Sequence, residues 1–113
     1  MVKSNYSPAR GDIVWLNFNL GAGHEQQGKR PAVVISPKAY NEKTGMGLFC
    51  PITSKIKNYP FEVRIENEKI SGVALSDQIK NLDWRIKGIE FITKEPSEKI
   101  DEVLSKLSTL LFD

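Results

Sequence analysis

Between Gly23 and Pro31 the chain reads Gly23-His24-Glu25-Gln26-Gln27-Gly28-Lys29-Arg30-Pro31, which sets an imidazole, a carboxylate, two amides and two cations side by side. His24 has the ordinary pKa of about 6.5 that suits proton transfer near neutrality, and Glu25 suits a general base once burial raises its own. Arg30 carries a planar, permanently charged fork that matches two oxygens of a phosphoryl group. Further along, Pro51-Ile52-Thr53-Ser54 supplies a hydroxyl and is followed by Lys55 and Lys57. Ser76-Asp77-Gln78-Ile79-Lys80 adds a carboxylate, an amide and another cation. On spacing alone, Thr53 also fits a β-branched packing residue, Arg30 a salt-bridged cation at a strand edge, and Asp77 a turn or capping residue.

The charge distribution says what such a set would meet. Residues 1–60 hold eight Lys or Arg against three Asp or Glu, a net of +5, whereas residues 61–113 hold eight against eleven, a net of −3. The whole chain carries only +2, so the basic character belongs to the first half and favours a polyanionic partner there. A solvated basic face would give the same count. One cysteine cannot form an internal disulfide, and one histidine beside one cysteine makes no zinc cluster, so neither metal nor cofactor is expected. Cys50 lies inside the apolar run MGLFCPIT and reads as a buried structural thiol.

The elements that must position these groups are short. With 113 residues, 40% hydrophobic and 27% charged, the chain fits one globular domain over residues 1–113. Apolar runs are too short to span a bilayer and the first residues lack the apolar stretch of a signal peptide, so a cytoplasmic protein is expected. Residues 12–18 alternate with both faces mostly apolar, as in a strand of a small barrel. Residues 19–29, with Gly21, Gly23 and Gly28 and no apolar period, read as a long loop. Strands follow at 31–36, at 46–54 with an edge or bulge near Pro51, and at 61–66, 72–76 and 88–93, five to seven in all. From Ser97 onward Ile100, Val103, Leu104, Leu107, Leu110 and Leu111 recur at three- and four-residue steps, the mark of an amphipathic helix. Pro96 at its start and Glu98, Asp101 and Glu102 in its early turns agree with that assignment. Trp15 and Trp84 read as core residues.

Taken in order, Arg10-Gly11-Asp12-Ile13-Val14-Trp15, the Gly23-to-Pro31 segment, Tyr40-Asn41 with Thr44-Gly45-Met46, Pro51-Ile52-Thr53, Tyr59-Pro60-Phe61-Glu62-Val63 and Gly72-Val73-Ala74-Leu75-Ser76-Asp77-Gln78 resemble the MazF/PemK toxin family from about residue 10 to 112. The resemblance implies a mainly β, SH3-like small barrel with a C-terminal helix, a homodimer, and metal-independent, sequence-specific cleavage of single-stranded RNA. A cognate antitoxin would cover the RNA surface. The match assigns catalysis to Arg30 and Thr53, with Glu25, His24 and Asp77 as candidate proton carriers. RNA contacts fall to Phe18 by stacking, Gln26 and Gln78 by base reading, and Lys57 and Lys80 on phosphates. One departure stands out: Leu75 replaces a basic residue of the Kid/PemK branch two positions before the aspartate, which weakens a catalytic role for Asp77. The same barrel also occurs in toxins that bind gyrase without cutting RNA, which is the alternative reading.

Overall fold

A computed structural model describes residues 5–18 and 28–112. His24, Glu25 and Gln26, and the loop expected around them, lie outside the described residues.

Strand β1, Asp12–Asn17, pairs antiparallel with β2, Lys29–Val34, so that Ile13 faces Val33 and Leu16 faces Arg30. After helix α1, Lys38–Thr44, strand β3, Met46–Thr53, returns against β2. Strands β4, Glu62–Glu66, and β5, Ser71–Leu75, form a hairpin. Strand β6, Lys80–Asp83, leads into the one-turn helix α2, Trp84–Lys87. Strand β7, Glu90–Lys94, and helix α3, Ser97–Phe112, complete the order. The sheet runs β4-β5-β3-β2-β1-β7 with β6 also on β3, seven antiparallel strands curled into a half-barrel. This is the mainly β architecture with a C-terminal helix that the sequence led us to expect.

The double-sided apolar pattern of β1 has a direct cause: the sheet is packed on both faces. On one, Ile13, Val33, Cys50, Ile52, Val63 and Ala74 meet Ile100 and Val103 of α3. On the other, Val14, Leu16, Ala32 and Phe49 meet Leu82 and Trp84. Burying a large apolar side chain is worth about 1.5–3 kcal/mol, which makes these two clusters the main source of stability. Trp84 joins the core as expected, whereas Trp15 stays 36% exposed.

Two sequence expectations change. Pro51 is neither at an edge nor in a bulge, because β3 runs unbroken through the centre of the sheet. On one edge it pairs with β2 as far as Pro51 and on the other with β6 as far as Phe49 and with β5 from Ile52, so the residue without an N–H falls between the β6 and β5 ladders. The register shift lies instead between Ile13 and Val14, opposite β7. Helix α1, strand β6 and helix α2 were not anticipated. Helix α1 buries only Asn41, so no apolar period marks it. What fixes it is polar: Asn41 Nδ2 donates to Pro8 O at 2.8 Å and to Ser36 O at 3.0 Å, and the Trp84 indole donates to Asn41 O at 3.2 Å.

Candidate active site

Ladder register brings Arg30 and Thr53 together. The β2–β3 ladder ends at the pair Ala32 and Pro51, and Arg30 and Thr53 each lie two residues beyond it, where both side chains reach the same recesses. Arg30 is exposed and Thr53 half-buried. Both line two adjoining recesses, of about 330 Å³ and 430 Å³, with Lys55 on the wall between them. Thr53 Oγ1 accepts the Lys55 N–H at 3.1 Å. That bond occupies an acceptor position and leaves the hydroxyl proton to be given to an oxygen in the recess.

The smaller recess is walled by the segment between β3 and β4, which carries Lys57 and Tyr59. This segment has no ladder of its own, so side chains hold it. Glu62 accepts the Lys57 N–H and the Asn58 N–H, each at 2.9 Å, one on each carboxylate oxygen. Asn58 takes the left-handed conformation, φ 63°, that this tight bend requires. Tyr59 Oη donates to Asp77 Oδ1 at 2.8 Å. That bond, with burial and the nearby Asp77 and Glu62 charges behind it, pushes the Tyr59 phenol up to about 12, so it keeps its proton at neutral pH. Lys106 of α3 donates to the carbonyls of Pro60 and Glu62, tying the same segment to the helix. The recess therefore collects three cations, Arg30, Lys55 and Lys57, against one carboxylate already engaged by backbone amides. Three cations on one wall suit an anionic ligand such as a phosphoryl group.

A family model described as "PemK-like, MazF-like toxin of type II toxin-antitoxin system" matches residues 9–111. The chain belongs to the MazF/PemK toxin family. It is 43% identical to the endoribonuclease toxin MazF of Escherichia coli K12 over 108 residues, 96% of this chain and 97% of that one. It is 32% identical to the endoribonuclease PemK of Escherichia coli, across 98% of this chain and 87% of the relative. Among solved structures it superposes on MazF from Deinococcus radiodurans with a TM-score of 0.86 at 48% identity, covering 95% and 98% of the two chains. A MazE-MazF structure from the same organism gives 0.84 at 43% identity, covering 96% and 98%.

Within this MazF-type fold the expected residues separate. Arg30, Thr53, Lys57 and Gln78 line one recess. Lys80 is exposed on β6 opposite Phe49 and lines neither recess. Asp77 stands behind Tyr59 and lines neither as well. Phe18 departs from its expected stacking role: it is only 9% exposed, because alternation along β1 carries it, with Val14 and Leu16, onto the face covered by Leu82 and Trp84. Its backbone has a different part, the Phe18 N–H donating to Gly28 O at 2.8 Å and joining the two ends of the segment that bears His24 and Glu25. Cys50 is buried, and that burial, aided by the Asp77 charge, pushes its thiol up to about 12. Sequence reasoning gave no role to Tyr59 or Glu62, although both stand in the quoted Tyr59-to-Val63 motif. Their signal was a carboxylate at the head of a strand, five residues after a loop lysine. Among the described residues no cluster of His, Cys, Asp and Glu is placed to hold a metal ion, and no helix is long and apolar enough to cross a membrane.

Proposed function

We propose that this chain is the endoribonuclease toxin of a toxin-antitoxin pair and that it cuts single-stranded RNA by attack of the substrate's own 2′-hydroxyl. The observation that carries the reading is the pairing of Arg30 and Thr53 on one recess, in a chain 43% identical to an endoribonuclease along almost its whole length. Because the nucleophile comes with the RNA, the protein needs no activated serine or cysteine, only charge stabilisation and proton transfer. The 2′-oxygen bonds to phosphorus as its proton passes to a base, for which Glu25 and His24 are the candidates. The P–O5′ bond breaks and the 5′-oxygen takes up a proton, leaving a 2′,3′-cyclic phosphate and a 5′-hydroxyl. Arg30 grips the non-bridging oxygens of the phosphorane, and the Thr53 hydroxyl donates to one of them. Lys55 and Lys57 hold flanking phosphates.

The proposed mechanism is metal-independent, since fixed cations supply the charge that a divalent ion would otherwise bring. The same reading includes a homodimer, supported by the exposed Leu110, Leu111 and Phe112 at the end of α3, and an antitoxin carrying negative charge to the basic recess. The deciding experiment incubates the purified chain with a long mixed-sequence RNA in excess EDTA and maps the cut ends. Cutting with cyclic phosphate ends is expected, as is resistance of a substrate with a 2′-deoxy sugar at the cut position. RNA that survives intact with or without divalent ions refutes the nuclease, and cutting abolished only by EDTA refutes the metal-free route.

A further inference from the structure

We infer that Tyr59 reads a base seated in the 330 Å³ recess, its phenol oxygen accepting from a base N–H, and that Asp77 is the positioning residue that fixes it in that role. The inference rests on the nuclease reading. A phenol has one proton to give and lone pairs with which to accept. At Tyr59 that proton is committed to Asp77 Oδ1, 2.8 Å away, so what the oxygen offers the recess is acceptance only.

The surroundings give this a consequence. Arg30, Lys55 and Lys57 on the same wall can only donate, Gln78 can donate or accept, and each Glu62 oxygen already receives one backbone amide. Tyr59 is thus a group that can only accept, beside three that can only donate, on a segment strapped by Glu62 at Lys57 and Asn58. Beneath them Leu75, 8% exposed, offers an apolar floor for the face of a base. A base with an exocyclic amine, as in adenine or cytosine, satisfies the phenol oxygen, whereas a keto group in that place meets it lone pair to lone pair. The recess therefore selects amino over keto at one position beside the scissile phosphate. Asp77 enters without touching RNA: it lines neither recess and acts through the phenol.

The experiment measures kcat/KM for short single-stranded RNAs that differ by one base at a time around the mapped cut, using the full chain, Tyr59→Phe, Asp77→Ala and the double variant. At one position the unsubstituted chain should favour an amino base over uracil by about tenfold, the scale of one hydrogen-bonded discrimination. Tyr59→Phe should bring that ratio close to one. Asp77→Ala should do the same, since it frees the phenol to donate, and the double variant should fall no further than either single change. An Asp77 that carried protons would instead slow every substrate alike and compound with Tyr59→Phe. A ratio unchanged by Tyr59→Phe, additive losses, or no such preference in the unsubstituted chain overturns the inference while leaving the nuclease standing. RNA left intact by the unsubstituted chain removes both.

Discussion

Gly72 tests whether the position of Thr53 matters apart from its identity. It lies in β5 against the end of β3, where the two backbones approach so closely that an added Cβ would sit 2.5 Å from Thr53 O and 3.0 Å from Thr53 C. A carbon and a carbonyl oxygen normally rest about 3.3–3.6 Å apart, so Gly72→Ala must open this contact by about 0.8 Å or more. Both neighbours are backbone atoms, so no flexible side chain can yield in their place. Overpacking of this kind costs about 1–3 kcal/mol. Against a domain stability of about 5–15 kcal/mol, the great majority of molecules stay folded at 25 °C. Cleavage should suffer far more, because misplacing a reacting group by about 1 Å costs roughly 100-fold in rate. Urea titration followed by circular dichroism reads the first effect, and single-turnover cleavage of a short RNA reads the second. The expected result is a lower urea midpoint with the native spectrum retained, and a rate reduced by about 10- to 100-fold. A variant that cuts in proportion to its folded fraction refutes the claim that Gly72 holds Thr53 in place.

Arg30→Lys keeps the charge and loses the fork, so cleavage should fall by about 10- to 100-fold while the thermal midpoint, measured by fluorescence, stays within a degree or two, since the side chain is exposed. Full activity in this variant would reduce Arg30 to a point charge. Cys50, with its thiol pushed up to about 12 by burial, should resist a thiol-specific reagent at pH 8 and react with one equivalent only after denaturation. Prompt labelling of the native protein would contradict its placement in the core.

Legibility in the sequence followed the kind of force that holds each part. Apolar period announced β1 and α3, because both bury a regular set of side chains, and the observed Asp12–Asn17 and Ser97–Phe112 lie within a residue or so of the expected bounds. Helix α1 left no such trace, being fixed by the amide of Asn41 and a left-handed Gly45, φ 74°, at its end. At the site, Arg30 and Thr53 were found by family resemblance, and the ladder register then explains why 22 intervening residues do not separate them. Phe18 misled because an aromatic beside a loop looks like a stacking platform, whereas strand parity decides which face it takes. Tyr59 and Glu62 escaped because their roles are relational: a carboxylate that caps two amides, and a phenol whose proton is already promised, are invisible until the backbone has turned.

One feature of the fold underlies all these contacts. Strand β3 pairs with β2 on one edge as far as Pro51 and, on the other, with β6 as far as Phe49 and with β5 from Ile52, so Thr53 lies just past the end of the β2 ladder. Had the β2 ladder run on past Pro51, Thr53 would lie within it, its hydroxyl beside neighbouring strand residues. The end of that ladder leaves room for the recess that Arg30 and Thr53 share, and Glu62 straps the segment that walls it. Proline suits position 51 because a residue without an N–H costs least where one ladder, here β6, has ended and the next, β5, has yet to begin. Thr53 therefore owes its position to the pairing of β3 with β5, which is why a methyl group at Gly72, outside both recess linings, is expected to be felt in the chemistry.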